Sequence, residues 1–455
     1  MAYISFVLQR VLHPDTLYKL VMYHRLTIIV VAFLFDLLLV YRFRFIGLGF
    51  AVIFELTKYY LFGSTFLAES IVVYPLVYLA GLAWEVLQKR RIASWEIWLG
   101  SLFTFFVIFM REPYIPTAIG LFVILLTTKQ SMKLKLGAVV LCLLLSVLII
   151  ISLPIRSYFY ELVTVNFSVV ASSEIQSTHL NGPGIITIFI YPLIILVYGL
   201  IDYFRGVLVL IDLLFLIAFY LFAFSEKQWK KGLVLLFILG ISNIRITEPG
   251  TAFYGAYHML VWYGLFIFFT LLLVKNIYTI KHREVYHIVA SILLLISFLY
   301  LILPANSLLW DKFDRQLTFN TNYGLFYSDG EVVRDLANNQ TTFFVDGWDS
   351  LMYWQADVPL SYPYLFFYPP MKSIPVYTDA RTEMFKKNPP EFVYSYCKLS
   401  RNKLFTNSFI ENSSGAYKTF YYAGNPTCLY IRKSATKTIT SAQWDQMKQF
   451  GYYLK

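Results

Sequence analysis

The sequence predicts an α-helical polytopic membrane protein with about 10 or 11 transmembrane helices, followed by a C-terminal α/β domain. Of its 455 residues, 58% are hydrophobic and 14% are charged, whereas a soluble globular chain has about 25% charged residues. Apolar runs of spanning length fill the first two-thirds and end near Pro304. Lipid must therefore form part of the solvent of this chain, which excludes a soluble cytosolic enzyme.

The predicted helices follow the apolar runs in order. They cover residues 22–41, 45–62, 66–88, 93–110, 114–128, 134–153, 206–224, 231–246, 252–275 and 284–303. A further run, 185–201, either crosses the membrane or lies as a re-entrant or interfacial segment on the outer face. Residues 1–304 thus form the multi-spanning domain. Residues 305–455 have turn-rich, alternating aromatic segments and no spanning run, which predicts a soluble α/β domain of ordinary size.

Basic loops predict the topology. Residues 1–304 hold 22 Lys/Arg against 14 Asp/Glu, and the positive-inside bias explains this excess, so no nucleic-acid partner is implied. The basic loops are 89–91, 129–135, 227–231 and 275–283. Placing all four in the cytoplasm requires 185–225 to cross once; the alternative is a second crossing there, with one basic loop outside. The first solution predicts a multi-pass protein of the cell membrane with its C-terminal domain extracytoplasmic.

The same topology places residues 1–25 outside, without a signal peptide to carry them there. It predicts that a further helix and an outer loop precede Met1 in the complete protein.

Acidic residues within apolar runs are costly unless they are paired or hydrated. Asp36 is expected to find a partner within the helix bundle, and Glu55 to pair with Lys58 one turn later. Asp212 has no local partner in the sequence.

Glu69 is the candidate catalytic carboxylate. It follows a small-residue turn at 63–65, which predicts a helix N-cap there and places Glu69 in the first turns, facing an outer cavity. It could bind a sugar hydroxyl, a cation, or an attacking alcohol or amine. The alternative is that Glu69 only complements the helix dipole.

Basic and aromatic residues collect in two other predicted outer loops. Arg111 precedes the helix-start signal of Glu112 and Pro113. Near residue 250, the chain carries Arg245, Tyr254, Tyr257 and His258 close to a Pro-Gly break. Because arginine suits bidentate phosphate recognition and histidine can donate or carry charge, these residues predict an anion site.

The three cysteines include no CxxC pair, so no zinc ribbon or iron–sulfur cluster is predicted. Cys142 is expected to be a small apolar residue inside a helix. Cys397 and Cys428 lie in the predicted outer domain, where they either form a disulfide worth about 3–4 kcal/mol or remain buried thiols.

Four stretches resemble the GT-C superfamily, the polyprenyl-phosphate-sugar-dependent glycosyltransferases of the dolichyl-phosphate-mannose and aminoarabinose transferase kind. Residues 62–91 resemble the family's second outer loop, in which a small-residue turn precedes an acidic residue, here Glu69. Residues 98–126 resemble the segment in which a basic residue and proline follow an apolar run. Residues 243–263 resemble the loop that approaches the lipid phosphate, and residues 343–370 resemble a strand and sugar-binding loop of the C-terminal domain in bacterial members.

The resemblance implies inverting transfer of a sugar from a polyprenyl-phosphate donor to a lipid, glycan or protein acceptor at the outer face. Arg111, Arg245 and His258, with Tyr254 and Tyr257, would hold the departing phosphate. Glu69 would orient the acceptor or act as an auxiliary base. Asp346, Trp348 and Tyr353 would hold the acceptor.

The family's principal carboxylate lies in the first outer loop, which would precede Met1 here, so the resemblance implies that this chain is either truncated and inactive as given or a degenerate member. No metal site or cofactor is implied by the residues, although a divalent cation, Mg²⁺ or Mn²⁺, remains compatible with the chemistry. Two other functions stay open: a transporter or flippase of a lipid-linked or anionic substrate, and a non-catalytic membrane assembly subunit.

Overall fold

The computed structural model describes residues 1–152, 156, 159–160, 203–243, 256–278, 315–347, 350–365, 367, 371, 374–395 and 416–454. Within them the protein is mostly helical, with a small sheet near the C-terminus. The predicted run 185–201 and the predicted helix 284–303 lie outside the described residues.

Each predicted apolar run that the structure describes forms a helix, and Ala2–Leu12, which was not predicted, forms another. These helices are α1 (Ala2–Leu12), α2 (Leu17–Phe43), α3 (Phe45–Thr57), α4 (Glu69–Leu87), α5 (Ser94–Met110), α6 (Ile115–Leu126), α7 (Met132–Ser152), α8 (Tyr203–Tyr220), α9 (Trp229–Ser242) and α10 (Leu260–Tyr278). Most ends lie within a few residues of the prediction. The largest difference is at α10, which begins at Leu260 rather than at residue 252 and follows a 3₁₀ turn at Ala256–Met259. Helix α2 begins at Leu17 rather than at residue 22, and Leu17 and Leu20 are buried.

Four of the described helices are long and apolar enough to cross a membrane: Leu17–Phe43, Glu69–Leu87, Met132–Ser152 and Tyr257–Asn276. They differ in burial. The apolar window of Glu69–Leu87 is 89% buried, whereas that of Met132–Ser152 is 11% buried. Helix α4 therefore lies at the centre of the helical core, and α7 displays apolar side chains at its surface, as a lipid-facing helix would.

The C-terminal part is α/β. Its helices are α11 (Arg315–Leu336), α12 (Leu351–Ala356), α13 (Pro375–Lys387) and α14 (Ser441–Gln449), and its strands are β1 (Phe343–Asp346), β2 (Phe392–Ser395), β3 (Tyr417–Tyr422), β4 (Asn425–Arg432) and β5 (Tyr452–Leu454). The strand order is β1-β2-β4-β3-β5, in which β1 and β2 are parallel and the other pairs antiparallel. Both faces of the sheet are covered. In β1, Phe343 and Val345 belong to one buried cluster and Phe344 to the other, as alternation along a strand requires.

Two compact units share the chain, and the second contains the α/β part together with Pro14–Leu20. The backbone N–H of Leu17 donates to Oε1 of Gln355 at 3.1 Å within this unit. The predicted boundary assigns residues 14–20 to the multi-spanning domain, 1–304, so this association is visible only in the tertiary structure.

Candidate functional site

Glu69 is the first residue of α4. The predicted cap at residues 63–65 is wrong: the N-cap is Ala68, without a side-chain hydrogen bond. The Thr65 hydroxyl instead donates to the carbonyl of Phe62 at 2.5 Å, which holds the preceding turn. Glu69 itself is 1% exposed, so its carboxylate is buried among protein groups rather than facing open solvent.

Arg111 reaches this carboxylate from the end of α5. The chain is extended at Arg111 and then enters a short 3₁₀ turn, Glu112–Tyr114, before α6 begins, which confirms the helix-start signal at Pro113. The Nε–H of Arg111 donates to Glu69 Oε1 at 2.8 Å. The terminal guanidinium nitrogens make no hydrogen bond with the described residues, and the side chain is 28% exposed. One edge of the guanidinium is therefore fixed, and the other remains available to a ligand.

His258 approaches the same carboxylate from a third segment. It lies in the 3₁₀ turn Ala256–Met259 that leads into α10, and its Nδ1 is 3.6 Å from Glu69 Oε1. The Tyr114 hydroxyl donates to the His258 carbonyl at 3.2 Å, and the rings of Tyr257 and His258 contact each other with centroids 4.0 Å apart. The guanidinium of Arg111 and the imidazole of His258 therefore approach the same carboxylate oxygen of Glu69.

The structure thus brings together Glu69, Arg111, His258 and Tyr257 of the predicted site. Arg245 and Tyr254 lie outside the described residues. The sequence analysis missed Tyr114, which is completely buried and connects the Arg111 turn to the His258 turn. The sequence offered one indication of this role, which was the position of Tyr114 three residues after Arg111.

The two predicted acceptor residues that the structure describes, Asp346 and Tyr353, are both engaged with other protein groups. Asp346 ends β1 and accepts a hydrogen bond from Arg381 Nη2 at 2.9 Å. Tyr353 is 7% exposed, and its hydroxyl oxygen accepts the backbone N–H of Val345 at 2.7 Å. Tyr353 is therefore a core residue with its hydroxyl engaged, and we assign it no part in acceptor binding. Trp348 lies outside the described residues.

A polar network lies among the apolar helices. Lys58 Nζ is 2.5 Å from Glu55 Oε2, which confirms the predicted pair. The sequence analysis missed Tyr74, whose hydroxyl accepts from Lys58 Nζ at 2.8 Å and donates to Glu55 Oε1 at 2.6 Å. The carboxylate oxygens of Asp212 have no hydrogen-bond partner in the part of the chain that the structure describes.

Cys428 is disulfide-bonded, and Cys142 is free and buried. The predicted partner, Cys397, lies outside the described residues. Among the described residues, no group of three or more His, Cys, Asp or Glu side chains is arranged to hold a metal ion.

Sequence and structural comparisons identify no relative: no protein-family model, no curated protein and no solved structure matches the chain.

Proposed function

We propose that the chain is a membrane glycosyltransferase that transfers a sugar from a polyprenyl-phosphate donor to an acceptor, with inversion, at the extracytoplasmic face. The observation that supports this most is the orientation of Arg111. Its Nε is held by the buried carboxylate of Glu69, and its terminal nitrogens make no hydrogen bond with the described residues.

The cluster suits a departing phosphate. In the proposed reaction, the acceptor oxygen or nitrogen forms a bond to the anomeric carbon and gives its proton to a general base, the role that the resemblance assigns to a carboxylate of the first outer loop. The bond from that carbon to the phosphate oxygen breaks, and its electron pair stays on the polyprenyl phosphate. A guanidinium can donate two parallel hydrogen bonds to such a phosphate, and fixed cations at the position where charge develops lower the barrier.

His258 adds a second cationic or hydrogen-bonding group on the same side of Glu69 Oε1. Since the imidazole Nδ1 lies 3.6 Å from this oxygen, it is too far for a strong hydrogen bond but close enough for electrostatic attraction. The Arg111 guanidinium and the His258 imidazole thus lie beside the same carboxylate oxygen, where both can contact one bound phosphate.

Glu69 acts in this proposal as a positioning residue. Its Oε1 already accepts the Arg111 Nε–H, and the side chain is 2% exposed, so it is poorly placed to contact an acceptor. By holding Arg111 in one orientation, it reduces the conformational entropy that phosphate binding would otherwise cost.

The test measures release of polyprenyl phosphate from a panel of polyprenyl-phosphate hexoses and pentoses, with membranes that contain the full chain. We expect Arg111→Gln to lower the rate by about 100-fold, as loss of one transition-state donor does. Arg111→Lys should retain an intermediate rate, because a lysine supplies charge without the planar fork. Lys133→Gln, at an exposed lysine of α7, is the matched control and should leave the rate unchanged.

A wild-type rate in Arg111→Gln would contradict the phosphate-binding role. Movement of an intact labelled donor across sealed vesicles, without any release of polyprenyl phosphate, would contradict the transferase and favour a flippase.

A further inference from the structure

A polar cavity lies at the other end of α4 from Glu69. It has a volume of about 590 Å³ and is lined by residues of the α2–α3 turn, the end of α4, the start of α5 and the end of α10. Glu69 and Glu85 are sixteen positions apart on one helix, which separates the two ends by about 24 Å. The cavity is thus distinct from the Glu69 cluster.

Four cationic side chains and two carboxylates line this cavity. The cations are Arg42, Arg44, Arg90 and Lys275, and the carboxylates are Glu85 and Glu96.

The carboxylates are already used by two of the cations. Arg42 pairs with Glu96, which is 2% exposed and also accepts the backbone N–H of Ala93 at 2.9 Å. Arg90 Nη1 donates to Glu85 Oε1 at 2.8 Å. The two pairs therefore form charge-balanced walls.

Arg44 and Lys275 are the remaining cations. Both are exposed, and neither has an ion-pair partner among the described residues. The cavity consequently carries an excess of two positive charges on side chains that can turn toward an anion.

The backbone fixes the position of Arg44. The chain reverses direction there, between α2 and α3, at a φ of 55°. Gly47 lies so close to α2 that an ideal Cβ would be 2.2 Å from the carbonyl oxygen of Leu39. Because only glycine permits this approach, the turn is tightly packed, and it holds Arg44 at the cavity.

The surroundings favour a lipid as the occupant. Exposed apolar side chains on α2 recur at helical spacing and lead toward the cavity: Leu26, Ile29, Val30, Phe33, Leu34 and Leu37. Tyr41, which continues this stripe, and Trp95 line the cavity and are 79% and 48% exposed. Tyrosine and tryptophan are enriched where lipid headgroups meet the apolar phase, and basic pockets between membrane helices bind anionic headgroups.

We propose that this cavity binds the phosphate headgroup of an anionic membrane lipid, whose acyl chain lies along the apolar stripe of α2. Arg44 and Lys275 contact the phosphate, while the Arg42–Glu96 and Arg90–Glu85 pairs shape the walls. This proposal does not depend on the transferase.

The test titrates the purified full-length protein with dioleoylphosphatidylglycerol or dioleoylphosphatidylcholine and measures lipid binding by native mass spectrometry. We expect phosphatidylglycerol to bind about tenfold more tightly, because only this lipid carries a net negative charge. The double variant Arg44→Gln/Lys275→Gln should bind it about 25-fold more weakly, or about fivefold per cation near the headgroup. Lys133→Gln, which removes an exposed charge outside the cavity, should bind as the wild type does.

A second variant changes binding in the opposite direction. Glu85→Gln releases Arg90 from its ion pair, so phosphatidylglycerol binding should become severalfold tighter. This outcome cannot result from misfolding. Arg111→Gln should leave the affinity unchanged, which separates this cavity from the proposed transferase site.

Three results would overturn the proposal. The first is equal affinity for the two lipids. The second is a loss of binding in Lys133→Gln as large as that in the double variant. The third is displacement of phosphatidylglycerol by an equimolar concentration of inorganic phosphate. The last result would identify a soluble phosphate compound as the ligand instead of a lipid.

Discussion

Glu69 and Arg111 are 42 residues apart in the chain, yet Arg111 Nε and Glu69 Oε1 are 2.8 Å apart. Glu69 begins α4 and Arg111 follows the end of α5, and the connection at residues 88–93 brings α5 back beside α4. This pair is the basis of the proposed phosphate site. Its energetic contribution can be measured without any substrate.

We predict that Glu69→Gln lowers the free energy of unfolding by about 2 kcal/mol, because it leaves a partly buried guanidinium without its counter-charge. Arg111→Gln should have a similar effect. In the double variant, the two losses should not add, and a coupling energy of about 1–3 kcal/mol is expected. Thermal unfolding of all four proteins in one detergent measures this cycle; strictly additive losses would show that the pair contributes no net stability.

The stability contributed by the Lys58–Tyr74–Glu55 network should depend on the Tyr74 hydroxyl. Tyr74 both accepts from Lys58 and donates to Glu55, so Tyr74→Phe should destabilise the protein by about 1–3 kcal/mol. Tyr220→Phe is the matched control, since Tyr220 is 62% exposed and surface changes usually cost less than about 0.5 kcal/mol. Equal melting temperatures of the two variants would contradict the structural role of the network.

Gly81 allows α4 to pack against Phe43. An ideal Cβ at this position would lie 2.3 Å from the Phe43 ring, so Gly81→Ala should cost about 1–3 kcal/mol through overpacking. At Gly120, the nearest side-chain atom would be at an ordinary 3.4 Å. Gly120→Ala should therefore be neutral or stabilising by up to about 1 kcal/mol, as expected for alanine in a helix. Combining Gly81→Ala with Phe43→Leu should restore part of the loss, and thermal unfolding measures all three.

Asp329 should make the α/β unit pH-sensitive. Burial raises the pKa of this carboxyl to about 7, although the hydrogen bond from Tyr452 partly opposes the shift. Between pH 4 and 7 the native carboxyl keeps a proton that the unfolded chain has lost, so stability falls as the pH rises through this range.

We therefore expect Asp329→Asn to raise the unfolding midpoint of the unit at pH 8, where the wild type carries the full cost of the buried charge, about 4 kcal/mol at most. The gain should shrink toward pH 4. The control is Asp357→Asn, because Asp357 is exposed in a left-handed conformation that asparagine tolerates. A gain independent of pH would contradict titration of Asp329 as its source.

The sequence by itself determined the helical class and the helix positions. Long apolar runs are removed from water by forming helices that pack together or face lipid. These runs end at prolines and charged residues, because charged residues are costly within the apolar phase. For this reason α5 and α6 meet at Arg111 and Pro113, as predicted. The strands β1 and β2 were also recognisable, because their alternating aromatic residues pack on two opposite faces of the sheet. The pairing of Glu55 with Lys58 was predictable because it is local, one helical turn in length.

Only the tertiary structure decided which distant residues meet. Topology and resemblance grouped Glu69, Arg111 and His258 at one face. They contain no information on which side of α4 is adjacent to α10, so they did not give the contacts between these residues or the role of Tyr114. The family resemblance suggested Tyr353 as an acceptor-binding residue, whereas the fold buries this side chain and engages its hydroxyl with the backbone N–H of Val345. The excess positive charge of the cavity beside the α2–α3 turn is likewise a result of the tertiary structure. In the sequence, the four cations of this cavity are basic residues in loops or at helix ends. Packing pairs Arg42 and Arg90 with carboxylates, and it places Arg44 and Lys275 at the cavity without such a pair among the described residues.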